Sequence, residues 1–244
     1  MDAHVPQRAR VDALMRDSPI YRFLLIGALW LPAAFFLWFS LRAQFAWPVV
    51  QIAKATLLHF WPHLFLDVVA GADEINQATG QLLAHHGDWM QVDTNVLYNA
   101  VKDGAPKFAF FDFALNPMIY GYSVPLFAGL VMATPLETWR RAVQIVTGLV
   151  VLWLTQSFGV VAEAFKVLGL QLPEGTAKMH ELGYSTELIA LAYQFGYLIL
   201  PPLVPAVLWI LFNRAFIEEL TRPSAAAAAE PNRANAVEAP QPGE

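Results

Sequence analysis

From Phe23 to Leu41 the chain runs for about 19 residues without a charged side chain, close to the roughly 20 needed to cross the hydrocarbon core of a bilayer. Arginines bracket this stretch on both sides, at Arg22 and Arg42. Composition extends the same argument to the whole chain. Hydrophobic residues make up 57% and charged residues 14%, against roughly 25% charged in a soluble domain, and mean hydropathy is +0.43. The chain reads as an integral membrane protein. No basic footprint points to a nucleic-acid partner, and the net charge of -5 draws partly on acids in the last residues. With no cysteine at all, the chain has no disulfide framework, no thiolate metal site and no cysteine nucleophile.

Residues 1–22, with Arg8, Arg10, Arg16 and Arg22, are expected to form a cytoplasmic N-terminal segment, and 23–41 the first transmembrane helix. That run is too long and too aromatic for a cleaved signal peptide, and Pro32 is expected to kink it. Trp47 to Ala70 is apolar but carries Gln51, Lys54, His59, His63 and Asp67 at intervals that gather them on one helical stripe, opposite Val50, Leu57, Leu58 and Leu64. This pattern predicts an amphipathic helix lying on the membrane, bent or divided at Pro62. The i, i+4, i+8 spacing of His59, His63 and Asp67 could suit a metal, but the intervening proline disturbs it. A polar helix face is expected, and no metal or other cofactor is assigned.

From Gly71 to Leu115 the pattern changes to polar alternation over Gln91–Leu97, a phenylalanine-rich run over Lys107–Phe113 and an Asp103-Gly104 turn signal. A small β-ribbon is predicted. His85, His86 and Asp88 are read as a loop, with Gly87 as its turn. A ribbon of this size needs a packing partner, so it is expected against the amphipathic helix, the membrane or another protein.

Asn116 to Pro135 opens the next span. Asn116 before Pro117 matches an N-cap followed by proline at the first helical position, and the tyrosines that follow suit a membrane interface. Tyr120 and Tyr122, four and six positions on from Asn116, differ in direction by about 200° at 100° per residue, so they face different neighbours. Glu137–Arg141 is then a short charged loop, Ala142–Leu168 a third span, Gln171–Thr186 a second exposed loop, and Leu188–Phe212 a fourth span bent by Pro201, Pro202 and Pro205. Glu163 and Lys166 are spaced to pair or snorkel at the interface, while Gln156 and Gln194 are the conspicuous intramembrane polar groups, expected to hydrogen-bond between helices. A short polar helix over Asn213–Arg222 precedes a tail too polar and alanine-rich to bury.

The fold expected is therefore mainly α: a polytopic membrane protein with four transmembrane helices, an amphipathic outer helix and a small β-rich extracytoplasmic insert. Its parts are 1–22, 23–41, an extracytoplasmic insert over 42–115, a three-helix membrane region over 116–222 and a disordered cytoplasmic tail over 223–244. Four spans place Arg8, Arg10, Arg16, Arg22, Arg140, Arg141, Arg214 and Arg222 on one face, as the positive-inside rule prefers. A fifth crossing over Trp47–Ala70 would put Arg140 and Arg141 on the opposite side from the N-terminal arginines. Both termini are accordingly expected in the cytoplasm. No internal repeat supports an inverted-repeat transporter. There is no HExxH, no GxSxG, no phosphate loop and no intramembrane carboxylate pair, so no catalytic residue is assigned.

One motif is specific. Asn116, Pro117, Tyr120, Gly121, Tyr122, Pro125 and Leu126, together with an aromatic first span, a proline-containing outer helix and a short β-rich insert, resemble the exosortase H-associated membrane proteins of Gram-negative bacteria. The resemblance runs from about Leu24 to Phe212. It implies an accessory role in the inner membrane beside exosortase H, a polytopic enzyme thought to process proteins bearing a C-terminal sorting signal. Exosortases are expected to use a cysteine with arginine and histidine, so this cysteine-free chain resembles the accessory protein and not the enzyme. The expectation is a non-catalytic partner that offers its outer insert and Asn116, Pro117, Tyr120, Gly121, Tyr122 and Pro125 as a docking surface. The rival reading is a small transporter or channel lined by Gln156, Gln194 and the bent fourth span.

Overall fold

A computed structural model describes residues 19–76, 79–102 and 105–221. Helix α1 (Pro19–Ser40) opens on a proline, whose missing N–H goes unused in a first turn, and keeps Pro32 in its interior. Leu41 departs from helical geometry, and α2 (Arg42–Phe60) continues from it, with Leu41 N bonded to Leu37 O and Phe45 N to Leu41 O.

Pro62 stops α2 instead of bending it. The residue before a proline is pushed out of the α region, and Trp61 sits at φ -133°, ψ 49°. Leu64 and Phe65 both return their N–H groups to Trp61 O, and strand β1 (Phe65–Ile75) begins there. The amphipathic helix predicted over Trp47–Ala70, bent or divided at Pro62, is thus helix to Phe60 and strand from Phe65, because the segment around the β-branched Val68 and Val69 pairs into a sheet. His59 lies on α2, His63 in the turn and Asp67 on β1, so the three share no helical stripe. Asp67 instead accepts a 2.7 Å hydrogen bond from Lys54 Nζ. Nor does α2 lie apart from the rest: Ala46, Val49, Val50, Ala53 and Leu57 are buried.

Strand β2 (Leu82–Lys102) pairs with β1 on one side and with β3 (Ala105–Leu115) on the other, giving an antiparallel sheet in the order β1-β2-β3. His85, His86, Gly87 and Asp88 are on β2, not in a loop. Polar side chains suit an outward sheet face when they find cross-strand partners: His85 Nδ1 lies 2.6 Å from Asp73 Oδ1, and His86 Nε2 lies 3.1 Å from Glu74 Oε2. The Asp103-Gly104 turn lies outside the described residues. The inward face, with Phe65, Val68, Met90, Val92, Val96 and Leu115, packs on α2 and forms one core.

After the sheet come α3 (Met118–Gly121), α4 (Ser123–Ala133) and the long α5 (Thr138–Lys166), which runs into a π-helical turn at Val167–Gln171. Helix α6 (Pro173–Glu181) occupies the stretch predicted as a second loop. Pro173 starts it and the fully buried Met179 anchors it. Then follow α7 (Thr186–Gln194), a second π-helical turn (Phe195–Ile199), α8 (Leu200–Phe212) and α9 (Arg214–Thr221). Thr138 already belongs to α5, so the charged loop predicted over Glu137–Arg141 is mostly helix.

Among the described residues three helices are long and apolar enough to cross a membrane: Ile20–Ser40, Thr138–Gln171 and Thr186–Phe212. Four spans were the expectation from the apolar runs, and the span predicted over 116–135 falls short on length. Its apolar helix, Met118–Ala133, is about 24 Å long at 1.5 Å per residue, against a hydrocarbon core of about 30 Å. Pro117 sets its start, and Thr134, extended at ψ 136° before Pro135, ends it. It runs antiparallel to α1: a Cβ on Gly121 would meet Trp38, on Gly129 Leu31, and Gly27 faces Ala133. Val124, Phe127 and Val131 of α4 join Leu152 of α5 in a second core.

Candidate functional site

Helix α5 passes through both cores, and its polar residues lie where the two meet. Leu152 belongs to the bundle core, while Val160 and Ala164 belong to the sheet core. Between them sit Gln156 and Ser157. On the facing helices Tyr120 belongs to the sheet core and Val124 to the bundle core, with Ser123 between. Gln156, Ser157 and Ser123 are all buried.

Buried polar atoms must be hydrogen-bonded or the fold loses their desolvation energy, and this layer is closely bonded. Gln156 Nε2 donates to Ser123 Oγ at 2.9 Å, and Ser123 Oγ donates to Tyr120 O at 3.2 Å. Ser157 Oγ lies 2.7 Å from Trp153 O and 3.2 Å from Val49 O, which ties α5 to α2. One turn further, Tyr120 OH donates to Glu163 Oε2 at 3.1 Å, and Lys166 Nζ stands 3.8 Å from Glu163 Oε1. The ammonium also lies 4.7 Å from the centre of the Tyr193 ring. Tyr193 stacks on Tyr197 at 5.6 Å, and Tyr197 meets Tyr120 edge-on at 6.1 Å.

The spacing on α5 explains the layer. Gln156, Gly159, Glu163 and Lys166 recur at intervals of three and four, which keeps them on one helix face. Gly159 makes room for Tyr120: a Cβ there would stand 2.6 Å from the ring. Gly196 lets the second π turn approach α5, since its Cβ would lie 2.9 Å from Gly159 Cα. Pro201 and Pro202 account for that turn. Each lacks an N–H and crowds the carbonyl four residues back, at Tyr197 and Leu198, and a wider turn relieves both. The two π turns, one following Lys166 and one carrying Tyr197, flank the cluster.

The predicted residues divide between this layer and the surface. Asn116 Oδ1 accepts from Met118 N at 3.0 Å, the bond of an N-cap. Pro117, Tyr120, Gly121 and Pro125 are buried, so they shape the interior; Asn116 and Tyr122 are half-buried. Gln156 bonds between helices. Gln194 ends α7 exposed and makes no side-chain hydrogen bond among the described residues. Sequence reasoning paired Glu163 with Lys166 but did not connect either to Tyr120, Ser123 or Tyr193, and the polar stripe on α5 was the available signal.

A second arrangement lies on the outer face of the sheet. Asp67, Asp93 and Asp112 are directly paired across the three strands. Lys54 and the Val68 N–H hold the Asp67 carboxyl below its ordinary range. Asp93 is raised, first by burial and then by the charges of Asp112 and Asp67. Asp112 accepts a 2.8 Å hydrogen bond from Gln91. No three His, Asp or Glu side chains converge as metal ligands among the described residues.

Helices of spanning length, a sheet packed against them and a bonded polar layer between two cores define a polytopic membrane protein with a compact sheet unit. The family model of exosortase H-associated membrane proteins matches residues 17–216, and the chain belongs to that family. No curated protein and no solved structure matches it.

Proposed function

We propose that this chain is a non-catalytic accessory subunit of an exosortase H protein-sorting system, docking with the exosortase or its substrates in the inner membrane of a Gram-negative bacterium. The observation that carries this reading is the family match over residues 17–216, which takes in every span, the sheet and the polar layer. With the short helix Met118–Ala133 taken as a fourth crossing, both termini lie in the cytoplasm and the sheet unit outside it, in keeping with the arginine distribution. Within the Asn116 motif the buried residues set the shape of the docking surface, and Asn116 and Tyr122 offer it their side chains. Gln156 gives its amide to Ser123, which removes the main support for a polar transport path.

The test is recovery of the exosortase with this protein from gently solubilised membranes. Co-purification that weakens when Tyr122 is changed to Phe supports docking through the motif. Solute flux by the purified protein alone, with no exosortase recovered, would overturn the proposal.

A further inference from the structure

The β1–β2 hairpin runs back along α2 towards the start of that helix. Two contacts fix its direction relative to α2. Near the far end of the helix Lys54 meets Asp67, and at its start Arg42 Nε meets the buried Asp88 at 3.2 Å, with Gly87 beside Ala43. Lys54 to Arg42 spans about 18 Å of helix, and Asp67 to Ala72 spans about 16 Å of strand, so strand and helix descend together. Ala72 pairs with His86, which places that rung level with the junction of α1 and α2.

Beyond this rung the hairpin continues through Asp73 paired with His85, Glu74 with Ala84 and Ile75 with Leu82, about 10 Å further. That carries it beyond the start of α2, where the chain joins α1, the first helix of membrane-spanning length. Ile75 is 55% exposed, Leu82 61% and Leu83 58%, with no described neighbour covering them. The last turns of α1, just before that junction, expose Phe36, Leu37 and Phe39, the surface such a helix turns to lipid. Gly71 at φ +88° sits among register shifts in β1, a local irregularity of the strand where the hairpin passes the start of α2.

The charges on the hairpin suit the boundary. Asp73 and Glu74 each have a histidine ring nitrogen as partner, and the His86 ring stacks on Trp89 at 4.2 Å, a tryptophan placed near the end of a span. We infer that the β1–β2 hairpin docks on the bilayer, burying Ile75, Leu82 and Leu83 at the headgroup–acyl boundary of the membrane that α1 crosses. The contact acts as a second attachment for the sheet unit, holding it against the lipid instead of leaving it suspended on α2. This inference is independent of any docking with an exosortase.

The absence of native cysteines makes the test direct. Single-cysteine variants Ile75→Cys and Leu83→Cys, with Leu97→Cys on the far part of β2 as reference, are labelled with an environment-sensitive fluorophore in the full chain reconstituted into phosphatidylcholine vesicles. The expected result is a blue shift at positions 75 and 83 and a loss of emission when doxyl-labelled lipid is included, with neither change at 97. Labels at 75 and 83 that emit as in water and lose intensity to aqueous iodide as fully as the label at 97 would overturn the inference. Blue-shifted labels insensitive to doxyl lipid would overturn it too, because protein and not lipid would then be covering the hairpin.

Discussion

Tyr120 donates its phenolic hydrogen to Glu163 across 43 positions of sequence, one turn beyond the layer where the sheet core meets the bundle core. The buried carboxylate is held from its own helix by Lys166 and from two others: α3 through the Tyr120 hydroxyl and, beyond the ammonium, α7 through the ring of Tyr193. The contact therefore ties α3, α5 and α7 together within the helical bundle.

Removing the Tyr120 hydroxyl tests that contact with the least disturbance. Tyr120→Phe keeps a ring that is fully buried and deletes one hydrogen bond to a charged group, for an expected loss of about 2 kcal/mol. Tyr122→Phe makes no comparable change, since no partner of its hydroxyl holds the cores together. Thermal unfolding of both variants in the same detergent is the measurement, and equal midpoints would remove the structural role assigned to Tyr120.

Lys166 should matter chiefly as the partner of Glu163. The ion pair has side-chain exposures of 18% and 11%, so Lys166→Met leaves a carboxylate largely out of water without its cation, at a cost of about 3 kcal/mol. Adding Glu163→Gln to Lys166→Met removes the orphaned charge, and most of the lost stability should return. A double-mutant cycle read by denaturation decides the point; simple additivity would mean the pair is not coupled.

The acidic row on the sheet predicts opposite pH behaviour for two neighbours. Asp67 is held below 3.8 in the folded protein, so the stability it contributes is present above that value and is lost as pH falls through its lowered pKa. Asp93 is raised above 3.8, so its ionised form opposes folding at neutral pH and the penalty disappears as pH falls through its raised pKa. Asp93→Asn should therefore stabilise the protein at pH 7 by about 0.5 kcal/mol, the scale of a like-charged cross-strand pair, with the gain fading on acidification. Melting curves of the two proteins across that range provide the check, and a gain that grows on acidification would contradict the sign.

Orientation is open to a reporter experiment. A reporter active only outside the cytoplasm is expected to work when fused after Asp88 or Thr176 and to stay silent after Arg141 or Arg222. Activity after Arg141 would require a different path for the helix Met118–Ala133, whose length alone does not establish a span.

Much of the architecture was legible because bilayer thickness and hydrogen-bond geometry leave local marks. The uncharged run after Arg22, the Asn116-Pro117 helix start and the polar spacing of α5 are all local, and each corresponds to a feature of the fold. Where sequence reading went astray, two local preferences were close in energy and distant contacts chose between them. The segment after Pro62 has both helical and strand periodicity, and pairing with β2 made it a strand. His85 and His86 look like loop residues until Asp73 and Glu74 stand opposite them. The run over 173–181 is polar enough for a loop until Met179 finds the sheet core.

By itself the sequence determined that this chain enters a membrane, where its apolar helices begin and which family it belongs to, because those properties depend on runs and motifs within a few turns. Only the tertiary structure decided that Tyr120 turns its hydroxyl to Glu163, and that Asn116 and Tyr122 stay half-buried while Pro117, Tyr120, Gly121 and Pro125 are buried. A side chain's direction around a helix follows from sequence, but what stands in that direction depends on how the helices cross, and that is settled by packing over the whole molecule.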